Sequence, residues 1–295
     1  KIRRNNIKLE KENSSMEKIA IVTDSLSDIP EDLVKTYGIF VVPLTISIDG
    51  VSYKDGVDIT KEEFYRLLRE GKMPTTTQVS PVEFMEVFKD LLKSYDYIIA
   101  IILTSKFSGT YQSAVIAKDM VDTKRIEVID SRHFTLGNGM LVLQAAKMAV
   151  AGASKEEIVE KVYDLIPKIR YIMAFDSLDY LYRGGRLPKS QAFIGNILNI
   201  KPILMNDDGE LKIVDKVRGQ KKVIRWMIDY MKNTGVDFTD REVGLIHTDK
   251  EEFLNEIEAA LRSELGITKF LRSRAGCGIG THAGPDAAGV FFEEK

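Results

Sequence analysis

The sequence predicts an α/β protein built as two domains: an N-terminal three-layer α/β/α domain around a parallel sheet, then a mixed-sheet α/β domain. Three observations carry this. Ile19-Ala20-Ile21-Val22-Thr23 and Asp96-Tyr97-Ile98-Ile99-Ala100-Ile101-Ile102-Leu103 are apolar runs without polar alternation, the pattern of strands buried on both faces. Capped helical patterns separate such runs from Met16 to about residue 168, which implies a parallel sheet with helices on both faces and right-handed crossovers. After Tyr171 the turn sequence Asn206-Asp207-Asp208-Gly209 joins two apolar runs, so the second half contains a hairpin. A chain of 295 residues is long enough for two cores. The expected division is a disordered leader or tag remnant at 1–15, a first domain at 16–168 and a second at 169–295.

In order, Ile19–Thr23 is a strand that runs into the polar loop Asp24-Ser25-Leu26-Ser27-Asp28, and Pro30 opens a helix over Glu31–Tyr37. Ile39–Leu44 is a second strand, which Thr45–Ile48 continues up to the Asp49-Gly50 turn. Thr60-Lys61-Glu62-Glu63 is a capping box before Phe64, Leu67 and Leu68, and Ser80-Pro81-Val82-Glu83 is a second, with Pro at the first helical position. Thr75, Thr76 and Thr77 line a polar site or form a β-like linker. Arg125–Ser131 is a strand and Asn138–Val150 a helix. The small and soft residues of that helix (Gly137 to Ala149) either line an adaptable cavity or pack on a sheet. Ser154-Lys155-Glu156-Glu157 caps the next helix.

In the second half, Tyr171–Phe175 is a strand and Leu178–Tyr182 a short helix closed by Arg183-Gly184-Gly185-Arg186. Residues 191–199 form a short helix. The hairpin runs from Pro202–Met205 to Leu211–Val214. Gln220–Lys232 is an amphipathic helix, Val243–Asp249 a strand, Glu251–Leu265 a helix and Ile267–Leu271 a strand. Residues 276–285 read as a Gly-rich loop. They match a dinucleotide loop poorly, because Pro285 follows and no acidic residue lies downstream at the required spacing.

Composition excludes several classes. The net charge is −2, so nucleic acid is not expected as a partner. Cys277 is the single cysteine, which rules out an internal disulfide framework and fits a reducing, cytoplasmic compartment. No apolar run reaches the roughly 18–20 residues that span a bilayer, so no stable membrane insertion is expected. The basic, polar start lacks the apolar stretch of a secretory signal. No His/Cys/Asp cluster has metal-ligand spacing and no P-loop is present, so neither metal nor cofactor is expected and the chain does not transfer phosphate on its own.

The candidate site residues share one chemistry. Ser108 and Gly109 stand where a parallel strand ends and a helix begins, the edge at which open α/β sheets bind ligands, and the helix start welcomes an anion. Ser108 is equally a simple helix start. Arg186 on its Gly-Gly turn either aims its fork at a carboxylate or phosphate or sits at a helix end for the dipole. His282 in a Gly-rich loop is poised to bond an anion, whereas His133 and His247 look incidental. Asp24 binds a metal or hydroxyl, or caps the turn after the first strand. Thr76, Ser108, Arg186 and His282 together suit one small anionic head group.

The segments Val22–Ser25, Pro74–Pro81, Leu103–Ala114, Asp130–Arg132, Leu181–Arg186 and Gly280–Pro285 together resemble the DegV family of bacterial fatty-acid-binding proteins. Thr77, Val79, Asp286 and Ala287 depart from the family's more common Ser, Pro and Gly-Pro-Gly-like run. The resemblance implies a two-domain α/β fold with a long-chain fatty acid, palmitate-like, between the domains. Its carboxylate would lie at Thr76, Ser108, Gly109, Arg186 and His282 and its tail in an apolar tunnel. It also implies a carrier rather than an enzyme, with no catalytic residues of its own. The carrier presents the acid to a separate fatty acid kinase, which makes an acyl phosphate for phospholipid synthesis. The alternative is an esterase-type hydrolase with Ser108 as nucleophile, His282 as base and a third group such as Asp24. It lacks the Gly-x-Ser-x-Gly elbow. A binding module for another anionic small molecule is a third reading.

Overall fold

A computed structural model of the chain describes residues 17–188 and 199–294. The leader expected at 1–15 and nearly all of the helix expected at 191–199 lie outside the described residues. The first half contains β1 (Ile19–Asp24), α1 (Glu31–Thr36), β2 (Phe40–Val42), β3 (Thr45–Ile48), β4 (Val51–Lys54), α2 (Lys61–Arg69) and β5 (Thr75–Thr77). It continues with α3 (Pro81–Leu91), β6 (Tyr97–Ile102), α4 (Thr110–Val121), β7 (Ile126–Asp130), α5 (Thr135–Val150) and α6 (Lys155–Leu165). The second half contains β8 (Ile169–Phe175), α7 (Asp179–Arg183), β9 (Ile200–Asp207), β10 (Glu210–Arg218) and α8 (Gln220–Asn233). It ends with β11 (Glu242–His247), α9 (Glu251–Leu265), β12 (Lys269–Arg274), α10 (Cys277–Ala283) and β13 (Ala287–Glu293).

The structure is α/β with a four-stranded parallel sheet, β2-β1-β6-β7, and a separate six-stranded mixed sheet, β10-β9-β8-β13-β11-β12. The alternation of β1 and β6 side chains explains the layering. Ala20, Val22, Ile98, Ala100 and Ile102 face Phe84 and Phe88 of α3 and Ala114 and Ala117 of α4. Ile19, Ile21, Ile99 and Ile101 face α5 and α6, and the same apolar cluster continues onto Tyr171, Met173 and Phe175 of β8 and Phe291 of β13. The α5–α6 layer is thus held between the two sheets, while α8 and α9 cover the far face of the mixed sheet. Each large apolar side chain fully buried in these layers contributes about 1.5–3 kcal/mol.

Two sequence expectations are corrected. Thr45–Ile48 does not continue β2: Pro43, with no N–H to give a ladder, intervenes, and β3 pairs with β4 and β5 in a three-stranded antiparallel sheet. The threonine run is therefore a strand, β5. The Gly-rich segment at 276–285 is not a loop but mostly the helix α10, and its glycines serve close packing: a Cβ on Gly278 would lie 2.2 Å from Leu26 Cδ2, and one on Gly280 2.6 Å from Phe64 Cε1. The sequence reading also missed β13, a central strand antiparallel to both β8 and β11. The glycines and alanines of α5 pack between the sheets; ten of the helix's residues are buried, with no polar face toward solvent along most of its length.

Candidate functional site

Four segments converge on one apolar cavity: the turn after β6, strand β5, the Gly-Gly turn after α7, and α10. Thr76, Phe107, Ser108, Arg186 and His282 line it, with Leu26, Leu103, Phe134, Met173, Phe175 and Ile279 among its apolar walls. The cavity is narrow, with a volume of about 50 Å³. The polar groups gather at one end and the remaining wall is hydrocarbon.

Each polar group is held from behind. Asp24 accepts N–H bonds from Leu26 (2.9 Å) and Leu103 (2.8 Å), tying the ends of β1 and β6 together; it is the cap of the Ser25–Ser27 turn. Burial raises its carboxyl to about 7, against those two N–H donors. Ser108 Oγ accepts the Thr110 N–H (3.2 Å) and lies 2.9 Å from the Thr110 hydroxyl. If Thr110 is the donor there, the Ser108 proton is left to point at the cavity. The Thr76 hydroxyl is 2.8 Å from His282 Nε2. Burial first, then the neighbouring Arg186 charge, lowers His282 to about 4, so the imidazole is neutral at pH 7. His282 Nδ1 is buried with no partner among the described residues, packed against Gly184, where a Cβ would come within 2.2 Å. A bare Nδ1 lone pair costs less than a buried unpaired N–H, which favours the tautomer with the proton on Nε2. That proton then goes to Thr76, and the Thr76 hydroxyl donates onward.

Arg186 is half-buried. Its Nε (3.1 Å) and Nη2 (2.8 Å) donate to the Phe107 carbonyl, and Nη1 donates to the Gly184 carbonyl, so the guanidinium fixes the turn that carries Ser108. Three of five N–H groups are used, none on a carboxylate; among the described residues Arg186 has no acidic partner, and burial lowers its pKa. A cation removed from water with no counter-charge is costly, and an anion in the cavity relieves that cost.

The remaining expectations fall into place around this. Gly109 does not line the cavity; it gives room to Gln78, whose Oε1 would lie 2.1 Å from a Cβ there. Ser108 and His282 are not hydrogen-bonded to each other: one is engaged with Thr110, the other with Thr76, so the pairing a serine hydrolase needs is absent among the described residues. His133 is a core residue bonded to the Ile166 carbonyl (2.9 Å), and burial lowers it to about 4. His247 Nδ1 accepts the Lys250 N–H. Among the described residues no group of His, Cys, Asp and Glu is placed to hold a metal ion, and no helix is long and apolar enough to cross a membrane.

Sequence reasoning missed the apolar walls and one polar support. Asp55, buried in the turn after β4, accepts Ser25 Oγ (2.9 Å) and the N–H groups of Cys277 (3.0 Å) and Gly278 (3.2 Å), anchoring the start of α10 and so the placement of His282. No local signal marks Asp55, because its partners come from distant parts of the chain.

The family model described as "Uncharacterised protein, DegV family" matches residues 18–295. The chain is similar to a DegV domain-containing protein of Caldanaerobacter subterraneus subsp. tengcongensis, 85% identical over 280 residues, which are 95% of this chain and 100% of that protein. It is similar to the solved structure of a fatty-acid-binding DegV family protein from Thermus thermophilus, with TM-score 0.87 and 31% identity over 94% of this chain and 100% of that one. It is also similar to a stearic acid-binding protein from Eubacterium ventriosum, with TM-score 0.83 and 28% identity over 94% of this chain and 98% of that one.

Proposed function

The chain belongs to the DegV family, and from that premise we propose that it binds a long-chain fatty acid between its domains, 16–168 and 169–295, and serves as a carrier rather than an enzyme. The carboxylate takes the polar end of the cavity, at Thr76, Ser108, Arg186 and His282, with Gly109 leaving room for the Gln78 side chain beside it. The tail takes the apolar walls. The observation that carries this is Arg186: a half-buried guanidinium without an acidic partner among the described residues, beside the hydroxyls of Thr76 and Ser108 and opening onto hydrocarbon. The similar solved structures described as fatty-acid-binding and stearic acid-binding support the ligand class. A buried tail supplies about 0.8 kcal/mol per CH₂ before ordering costs, so the tail provides affinity and the head group register.

The carrier presents the carboxylate to a separate fatty acid kinase in the cytoplasm, receives the acyl phosphate and delivers it toward phospholipid synthesis. Arg186 and neutral His282 suit this role, since one meets the charge added with the phosphoryl group and the other keeps Thr76 a donor throughout. The test is delipidated protein titrated with palmitate carrying ¹³C at the carboxyl. A saturable, shifted carboxylate resonance that disappears in Arg186→Gln is expected. A carboxyl signal that stays at its free position throughout the titration overturns the assignment. The serine-hydrolase reading predicts turnover of a p-nitrophenyl ester that Ser108→Ala abolishes; no turnover is expected.

A further inference from the structure

β8 supplies Met173 and Phe175 to the cavity wall and pairs antiparallel with β13. β8 leads toward Arg186 at its end, and β13 leaves α10 just after His282, so Phe175 and its partner Ala287 lie nearest the polar end. One strand step along, about 7 Å, the paired residues are Met173 and Gly289. One step further along the strands are Tyr171 and Phe291, whose rings lie 5.2 Å apart; Phe134, which lines the cavity, lies 5.0 Å from Tyr171.

Met173 lines the cavity and is 2% exposed. Its sulfur occupies the place a side chain at position 289 would take: a Cβ built on Gly289 lies 2.0 Å from Met173 Sδ. The thioether therefore fills the slot that glycine leaves on the inner face of the mixed sheet. Methionine is unbranched and adaptable, unlike the stiff aromatic rings further along the strands. The cavity is too narrow for a full chain without side-chain movement, and Met173 is the methionine of its lining.

We infer that Met173, seated over Gly289, sets the length of acyl chain the protein accepts: it yields part of the glycine slot to longer chains and closes the cavity beneath shorter ones. This rests on the fatty-acid reading above. Each CH₂ denied a buried place weakens binding about fourfold, and a two-carbon step about fifteenfold.

The test offers the delipidated protein an equimolar mixture of saturated C12, C14, C16 and C18 acids and reads occupancy of each by native mass spectrometry. Met173→Ala is expected to move the favoured length upward, with the C18-to-C14 occupancy ratio rising at least about fivefold, and Met173→Phe to lower that ratio by a similar factor. Gly289→Ala, which drives the sulfur into the cavity, is expected to act like Met173→Phe. Because its Cβ would also come within 2.9 Å of the Ile172 carbonyl, its folding is checked by circular dichroism, and the two Met173 variants decide if it fails. The same length profile in all folded variants overturns the inference while leaving the fatty-acid reading intact. Failure of the unaltered protein to take up any acid overturns that reading instead, and this inference with it.

Discussion

Replacing Thr76 by Val deletes one hydroxyl and keeps the side chain's shape. In the proposed complex the carboxylate loses a donor, and a hydrogen bond to a charged group is worth about 1.5–3 kcal/mol. At about 1.4 kcal/mol per tenfold, fatty-acid affinity falls roughly 10- to 150-fold. A second cost lands on the free protein. His282 Nε2 loses its partner at 2.8 Å while Nδ1 already has none among the described residues, which leaves a buried imidazole unpaired at both nitrogens. That lowers folding stability by about 1–3 kcal/mol. Competition against a fluorescent fatty acid measures the first effect and urea unfolding the second. Thr76→Ser keeps the hydroxyl and stays within about threefold of the unaltered affinity, less than one hydrogen bond's worth. A Thr76→Val protein with unchanged affinity and unchanged urea midpoint would refute the reasoning, since neither the carboxylate nor the imidazole would then depend on this hydroxyl.

Asp55→Ala leaves the N–H groups of Cys277 and Gly278 unpaired at the start of α10; the expected loss is about 3 kcal/mol in urea unfolding, and a loss under about 0.5 kcal/mol, the range of an ordinary surface change, would contradict the anchoring role. His282 supplies a pH prediction. Its folded value, lowered by burial and Arg186 to about 4 from 6.5, means that its contribution to stability is present above pH 6.5 and lost as pH falls through about 4. Asp28, raised by burial to about 6, acts oppositely: its contribution is complete below the ordinary carboxylate range and lost as pH rises through about 6. His282→Gln removes one of these opposed slopes, so between pH 4.5 and 6 its stability relative to the unaltered protein declines with rising pH by about 1.4 kcal/mol per pH unit. Parallel pH–stability curves for the two proteins would contradict the lowered value.

Much of the fold was legible because its central strands are apolar on both faces. β1 and β6 cannot be exposed on either side, and the capping boxes at Ser80 and Ser154 are present as read. The first half of β13 was not legible: Ala287, Ala288 and Gly289, ahead of Val290, Phe291 and Phe292, are weak strand formers, and what makes them a strand is pairing with β8 and β11, brought from elsewhere in the chain. The same holds for α10. Glycines disfavour a helix locally, but the close approach of Leu26 and Phe64 and the Asp55 carboxylate at its start outweigh that preference. At the site, Ser108 and Arg186 announced themselves through strand-to-helix and Gly-Gly context. The Thr76–His282 bond joins residues 206 positions apart, and the apolar walls look like any other core residues in the sequence.

The most direct test of the central claim is native mass spectrometry of the purified full chain, followed by solvent extraction and identification of what is released. The account predicts one long-chain fatty acid per protein, lost when Arg186 is replaced by Gln. A mass equal to the bare chain that persists after incubation with C14, C16 and C18 acids would contradict it.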